Sequence, residues 1–313
     1  MTAATRRDVW LRMLLYPRHT LPTAIAPVLV ASALAWHDGV FDWSAALAAF
    51  AAGWLVQLGG VVADNYNNLR RHGDDLEHPE FVEALKRGVV SLGELRWAII
   101  GCYAAATLIG LHLVYVGGVP ILVIGLLSIA ASLAYSSGPF PLGDNLGLGD
   151  PLFFVFFGLV SVMASYYVQA AAQAGQPLAA AIVPAGITPV SFLASLPIAA
   201  LCTNILVIDN IRDLKFDQAK NERTLAVLIG PRASHVEYLL LLALAYAVPF
   251  LLFFRGSFGP LVFLPLLSVP YAVHVARQVM RTTDYLALLP MTPRAAQVLL
   301  TYAALFAIGI ANG

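Results

Sequence analysis

Long apolar stretches, separated by short charged ones, organise this chain from end to end. Apolar runs of spanning length fall at 21–37, 43–64, 95–115, 118–135, 149–170, 190–210, 235–254, 257–277 and 296–312. A helix of roughly 20 apolar residues crosses the hydrocarbon core of a bilayer. Surface helices of a soluble globule would repeat their charges every three or four residues along one face; here the charges gather between the runs. The pattern predicts an all-α, polytopic membrane protein, a bundle of about nine transmembrane helices. It predicts one transmembrane domain over 1–313, with no separate soluble part.

Composition supports this reading, because 59% hydrophobic and 12% charged residues leave too few polar side chains to cover a soluble body of 313 residues. The formal net charge is zero, which argues against a nucleic-acid partner. Cys102 and Cys202 lie in apolar runs without metal-like spacing, so neither a disulfide framework nor a zinc site is expected.

The placement of charge says more than its sum. With the N-terminus inside, the connections near 65–94, 136–148, 209–234 and 277–294 share its side, and those near 38–42, 116–118, 171–189 and 255–256 lie opposite. Of the 18 Lys and Arg residues only Arg255 then falls on the far side. The positive-inside rule makes the first side cytoplasmic and leaves the C-terminus outside. The two longest charged connections, near 65–94 and 209–234, are expected to form cytoplasmic caps, and function is sought there.

The second of these begins on the end of the sixth run. Asp209, Asp213 and Asp217 recur every four residues, which on a helix stacks three carboxylates on one face. Like charges so arranged call for a cation, and carboxylates facing a cavity suit Mg²⁺, which usually bridges protein carboxylates to substrate phosphates. Arg212, Lys215, Lys220 and Arg223 are at hand for phosphate oxygens. The alternative is a solvated helix end with internal ion pairs. The first segment ends the second run in the same way, with Asp64, Asn65 and Asn68, and Asp74 and Asp75 beyond. Asp64 and Asn68 share a helix face; the plain alternative is a polar turn. Two such ends facing each other would hold one diphosphate, a good leaving group when its charge is neutralised, above an apolar chamber that keeps water from an allylic cation.

Elsewhere, His19, Tyr135, Asp150, Tyr166, Tyr167 and Gln169 are polar groups in or beside apolar runs, each needing a partner or a cavity. Asp150 reads best as a cap for a helix starting at Pro151. Phe153, Phe154, Phe156 and Phe157 read as core or lipid-facing residues.

Most of the chain resembles the UbiA superfamily of intramembrane prenyltransferases, and within it the 1,4-dihydroxy-2-naphthoate polyprenyltransferases. The resemblance rests on Pro17-Arg18-His19-Thr20-Leu21-Pro22 with Ala26-Pro27-Val28-Leu29, and on Arg87-Gly88-Val89-Val90-Ser91. It extends through Gly138-Pro139-Phe140-Pro141-Leu142-Gly143, Gly147-Leu148-Gly149-Asp150, Tyr166-Tyr167-Val168-Gln169 and the run from Asn210 to Gly230. It implies a helical bundle in which two aspartate-rich motifs bind Mg²⁺ and a polyprenyl diphosphate beneath cytoplasmic loops, and in which the prenyl group joins an aromatic ring.

By position, Asp213 and Asp217 match the metal-binding aspartates of the second motif, Arg212 and Arg223 its basic residues, and Asp74 the far acidic position of the first. Asp209 stands where this subgroup often has asparagine. The first motif departs from the usual Asn-Asp order, with Asp64-Asn65 and with Asn68 in place of a later aspartate.

The expected site therefore comprises Asp64, Asp213 and Asp217 as catalytic carboxylates and Asp64, Asn68, Asp74, Asp209, Asp213 and Asp217 as metal ligands. Arg212, Lys215, Lys220 and Arg223 are expected on the diphosphate, and Asn65, Asp150 and Tyr166 as further substrate contacts. The expected partners are a polyprenyl diphosphate, an aromatic acceptor and the lipid bilayer. A different acceptor such as 4-hydroxybenzoate, a terpene cyclase of the same fold, and a non-catalytic transporter or lipid-binding protein are the alternatives.

Overall fold

The computed structural model describes residues 5–15, 20–71, 79–138, 140–175 and 188–313. Every regular element among them is helical. The chain runs through α1 (Arg6–Leu15), α2 (Thr20–His37), α3 (Trp43–Arg71), α4 (Pro79–Lys86) and α5 (Leu92–Ser136). Next come α6 (Gly149–Phe153), a π-helical segment at Phe154–Val160 and α7 (Ser161–Ala174). Then follow α8 (Pro189–Ala219), α9 (Leu225–Ile229) and α10 (Pro231–Phe254), a 3₁₀ segment at Pro260–Ser268 that leads into α11 (Val269–Val279), and finally α12 (Tyr285–Leu288) and α13 (Met291–Ala311). The apolar runs of the sequence all fall on these elements, and seven helical stretches among the described residues are long and apolar enough to cross a membrane. The all-α membrane bundle read from the sequence is the observed fold class.

At 45 residues, α5 is too long for one crossing, and it breaks at Gly118, whose φ of 70° and ψ of −158° only glycine adopts readily. Tyr103 and Ser132, nearly equidistant from that glycine on either side, meet hydroxyl to hydroxyl at 2.8 Å, so the two arms run antiparallel. α3 lies against both. A Cβ on Gly59 would stand 3.1 Å from the Tyr103 ring, and one on Gly60 only 2.8 Å from the Ser132 Oγ. Bare backbone lets the helices approach where lipid supplies no hydrophobic drive between them.

α8 is the central helix. Within its apolar window 78% of the residues are buried, against 22% in α5, and Ile198, Ile205, Ile208 and Ile211 belong to the main core cluster with Leu34, Leu252, Tyr302 and Phe306. Thr188 opens it with a capping box to Ser191, and Pro189 occupies its first turn, where a missing N–H costs nothing. The helix ends at Lys220, after which Asn221 takes a left-handed conformation with φ of 58°, one that asparagine tolerates better than most residues.

The connections sort into two ends. At one, Arg6 pairs with Glu94, Arg71 donates to the Gly138 carbonyl at 2.7 Å, and the Gly147 and Arg223 backbones meet at 3.0 Å. Tyr285 reaches Phe216 edge-on there as well. At the other end, the His37 and Phe258 rings meet at 4.8 Å, tilted by 56°, Gln173 donates to the Phe41 carbonyl, and Gly313 lies against Gly259. The cation-rich connections thus share one end, joined there by the cation-free turn at 136–148.

Candidate active site

Between α2, α3, the two arms of α5, the α6–α7 stretch and α8 lies a chamber of about 560 Å³. Its body is largely apolar, with Val28, Phe50, Leu111, Ile121, Phe153 and Phe156 among its walls, and its cation-rich end is polar. There α3 contributes Asp64, Asn65 and Asn68, while α8 contributes Asp209, Asn210, Arg212, Asp213 and Asp217, with Lys220, Glu222 and Thr224 just beyond. Two helix ends far apart in sequence therefore deliver their acidic residues to one cavity.

The four-residue spacing on α8 does what helix geometry requires: Asp209, Asp213 and Asp217 all reach the chamber. Their mutual repulsion is offset from within. Arg212 donates through Nε to Asp213 at 2.7 Å, through a second nitrogen to the other Asp213 oxygen, and through the third to Asp209 at 2.5 Å. The face of the Tyr285 ring lies 5.8 Å from the guanidinium carbon, within cation–π range. Thr292, buried at the start of α13, donates to Asp209 at 2.6 Å. Asp217 accepts from Thr224 at 3.0 Å. Such pairing matters because Asp213 and Asp217 are almost wholly buried, and an unmatched buried charge is costly.

The remaining expected residues are distributed less evenly. Lys220 stands on the chamber wall, whereas Lys215 and Arg223 are exposed and do not line it. Arg223 acts through its backbone, its N–H donating to the Asp144 carbonyl at 2.6 Å. Asp74 lies outside the described residues, as does His19. Tyr166 is buried away from the chamber and donates to Asp38 at the opposite end of the bundle. Gln169 donates to the Ser165 carbonyl, and Tyr167 packs in a satellite cluster with Leu113 and Ile121.

Asp150 departs from its expected cap role. The helix already begins at Gly149, and the preceding Leu148 makes no side-chain cap. Asp150 is 3% exposed and accepts from the Asn210 amide at 3.0 and 3.3 Å, so it orients a residue that does face the chamber.

Sequence reasoning missed other wall residues. Phe153, Phe156 and Phe157 line the chamber rather than merely filling core or facing lipid, with Phe153 and Phe157 stacked at 4.0 Å. Gln57, hydrogen-bonded to Thr23 at 2.8 Å, and Asp144 also line it; a lone glutamine in a spanning run was the available signal. Tyr135, expected from the sequence to need a partner or a cavity, lines the chamber as well.

The donors at this end are carboxylate and amide oxygens, a hard set that suits Mg²⁺ rather than zinc or copper. Among the described residues no three acidic, His or Cys side chains close into a ready-made metal cage. Mg²⁺ does not require one, since it commonly binds through one or two carboxylates plus substrate phosphate oxygens and water. The residues present therefore fit that ion together with an anionic ligand.

Comparison with known proteins agrees with this architecture. A 1,4-dihydroxy-2-naphthoate octaprenyltransferase of Escherichia coli K12 is 34% identical over 98% of this chain and 96% of its own length. One bearing the same name from Mycobacterium tuberculosis is 29% identical over 94% of each. Among solved structures, an apo UbiA homologue from Aeropyrum pernix K1 superposes with a TM-score of 0.69 at 18% identity, covering 93% of this chain and 98% of that one. A UbiA homologue from Archaeoglobus fulgidus bound to GPP and Mg²⁺ does so with a TM-score of 0.53 at 12% identity, over 92% and 99% of the two chains. Residues 24–288 match the UbiA prenyltransferase family, and with so much of its length shared the chain belongs to that family of integral membrane enzymes that transfer prenyl groups.

Proposed function

We propose that this protein moves a polyprenyl group from its diphosphate to an aromatic quinone precursor, 1,4-dihydroxy-2-naphthoate, in a Mg²⁺-dependent reaction on the cytoplasmic side of the membrane. The observation that carries the reading is the meeting of the Asp64 and Asp209–Asp217 helix ends at the mouth of one apolar chamber. The names borne by the relatives, which act on that naphthoate, favour it over 4-hydroxybenzoate or cyclisation. The acidic chamber mouth in a prenyltransferase-family chain favours it over a transporter.

In this mechanism Asp64, Asn68, Asp209, Asp213 and Asp217 would hold Mg²⁺ together with the diphosphate, and Asp74 would add its charge from the first motif. When bound, the ion offsets the charge that develops on the departing diphosphate. Arg212 and Lys220, on the wall, bind phosphate oxygens directly, while Lys215 and Arg223, exposed at the same end, raise the local potential that draws the anion in. Asn65 and the Asp150–Asn210 pair orient the bound substrates. The prenyl tail lies along the apolar body, whose walls exclude water from the allylic cation so that the acceptor ring captures it.

Product analysis tests this. Purified protein is incubated with farnesyl or longer diphosphates and a panel of aromatic acids, with Mg²⁺ or a chelator, and products are read by mass spectrometry. A prenylated naphthoate formed only with Mg²⁺ is expected. Product on another ring would replace the acceptor, and diphosphate release from well-folded protein in chelator would overturn the metal requirement.

A further inference from the structure

The second acidic motif is braced by the far end of the chain. Thr292, at the start of α13, is 2% exposed, and its hydroxyl donates to the Asp209 carboxylate at 2.6 Å while standing 3.4 Å from the same Arg212 nitrogen that reaches Asp209. Tyr285, at the start of α12, presents its ring to the Arg212 guanidinium from another direction and is itself held edge-on by Phe216. Arg212 is thus held among two carboxylates, a hydroxyl and a ring face. Thr292 lies beyond residues 24–288, the stretch that matches the family.

We propose that Thr292 and Tyr285 are positioning residues that set how readily Arg212 turns from its carboxylates to an incoming diphosphate; the inference rests on the diphosphate reading of this site. The physical reason is competition for Asp209. The Thr292 hydroxyl supplies that carboxylate with a neutral donor, so Asp209 leans less on Arg212. Without the hydroxyl, Asp209 draws the guanidinium harder, and less of its donor capacity is available to phosphate oxygens. The Tyr285 ring supports the guanidinium wherever it turns within reach of that face, which lowers the cost of leaving Asp213.

The test is binding without turnover: farnesyl diphosphate is titrated onto the purified full-length protein in detergent, with no acceptor, in Mg²⁺ and separately in chelator. Thr292→Val is expected to weaken binding roughly tenfold, Thr292→Ser to restore it, and KM for the diphosphate to rise in step while kcat at saturation changes much less. In an Asp209→Asn background, Thr292→Val should add little, because its partner's charge is gone. Should the valine variant fail to give folded protein, Tyr285→Leu, at a half-buried site, carries the same expectation of several-fold weaker binding. Equal affinity in wild type and a folded Thr292→Val protein, or a serine variant as weak as the valine, would overturn the proposal and leave the proposed function standing. Failure of the wild-type protein to bind farnesyl diphosphate under either condition would overturn both.

Discussion

Asp213 sits 8% exposed on the central helix α8, and its charge is tolerable there because Arg212 straddles it with two nitrogens. Replacing it with asparagine removes the anionic oxygens but leaves Arg212 its bond to Asp209, so the bundle should stay folded while the site loses its central metal ligand. Turnover is expected to fall by more than about a hundredfold, with a cooperative melt retained; wild-type turnover would remove Asp213 from the mechanism. Asp150→Asn addresses the neighbouring bond. The new amide would face the Asn210 amide, and one buried donor without an acceptor costs about 1–3 kcal/mol, which should appear as a lower melting temperature in detergent. The row of three aspartates could be read from the sequence because helical period alone fixes which side chains share a face. The partners of Arg212 and Asp150 could not be, because Thr292 and Asn210 reach them from distant parts of the chain.

Among the elements, the π-helical segment Phe154–Val160 shapes the chamber wall. Gly158 lies at its closest contact with α8, where an added Cβ would fall 2.1 Å from the Ala199 Cα. Backbone atoms cannot yield as a flexible side chain can, so Gly158→Ala must push the two helices apart. That overpacking is expected to cost about 1–3 kcal/mol, seen in thermal melts, and to reduce activity by displacing Phe156 and Phe157 on the wall. A melt unchanged from wild type would show that the helices can part at no cost. The helices themselves were legible from run length, and the break in α5 from two adjacent apolar runs around Gly118. The role of the phenylalanines was not, because a uniformly apolar run has no polar face to mark its orientation, and the chamber they line is created by packing.

Over the whole molecule the cationic connections gather at one end with the acidic mouth of the chamber, and Arg255 stands at the other. This two-ended pattern follows from alternating spans, so it was readable from the sequence. The depth of the chamber was not, because six helical stretches build it. The expected orientation, with the chamber mouth in the cytoplasm, is open to direct measurement. Arg87 and Arg255 are both exposed and lie on opposite sides, so a cysteine at each can be probed with a membrane-impermeant maleimide. Background from the native thiols should be low, since Cys202 is buried and Cys102 lies in a spanning stretch. In intact bacterial cells Arg255→Cys is expected to label, and Arg87→Cys only after permeabilisation. Removing Arg255 deletes the lone cation of the outer side and strengthens the charge bias, while losing Arg87 leaves the other inner cations in place, so neither substitution should invert the protein. The reverse labelling would put the chamber mouth outside, where a diphosphate made in the cytoplasm could not reach Arg212, and the proposed function would fall with the orientation.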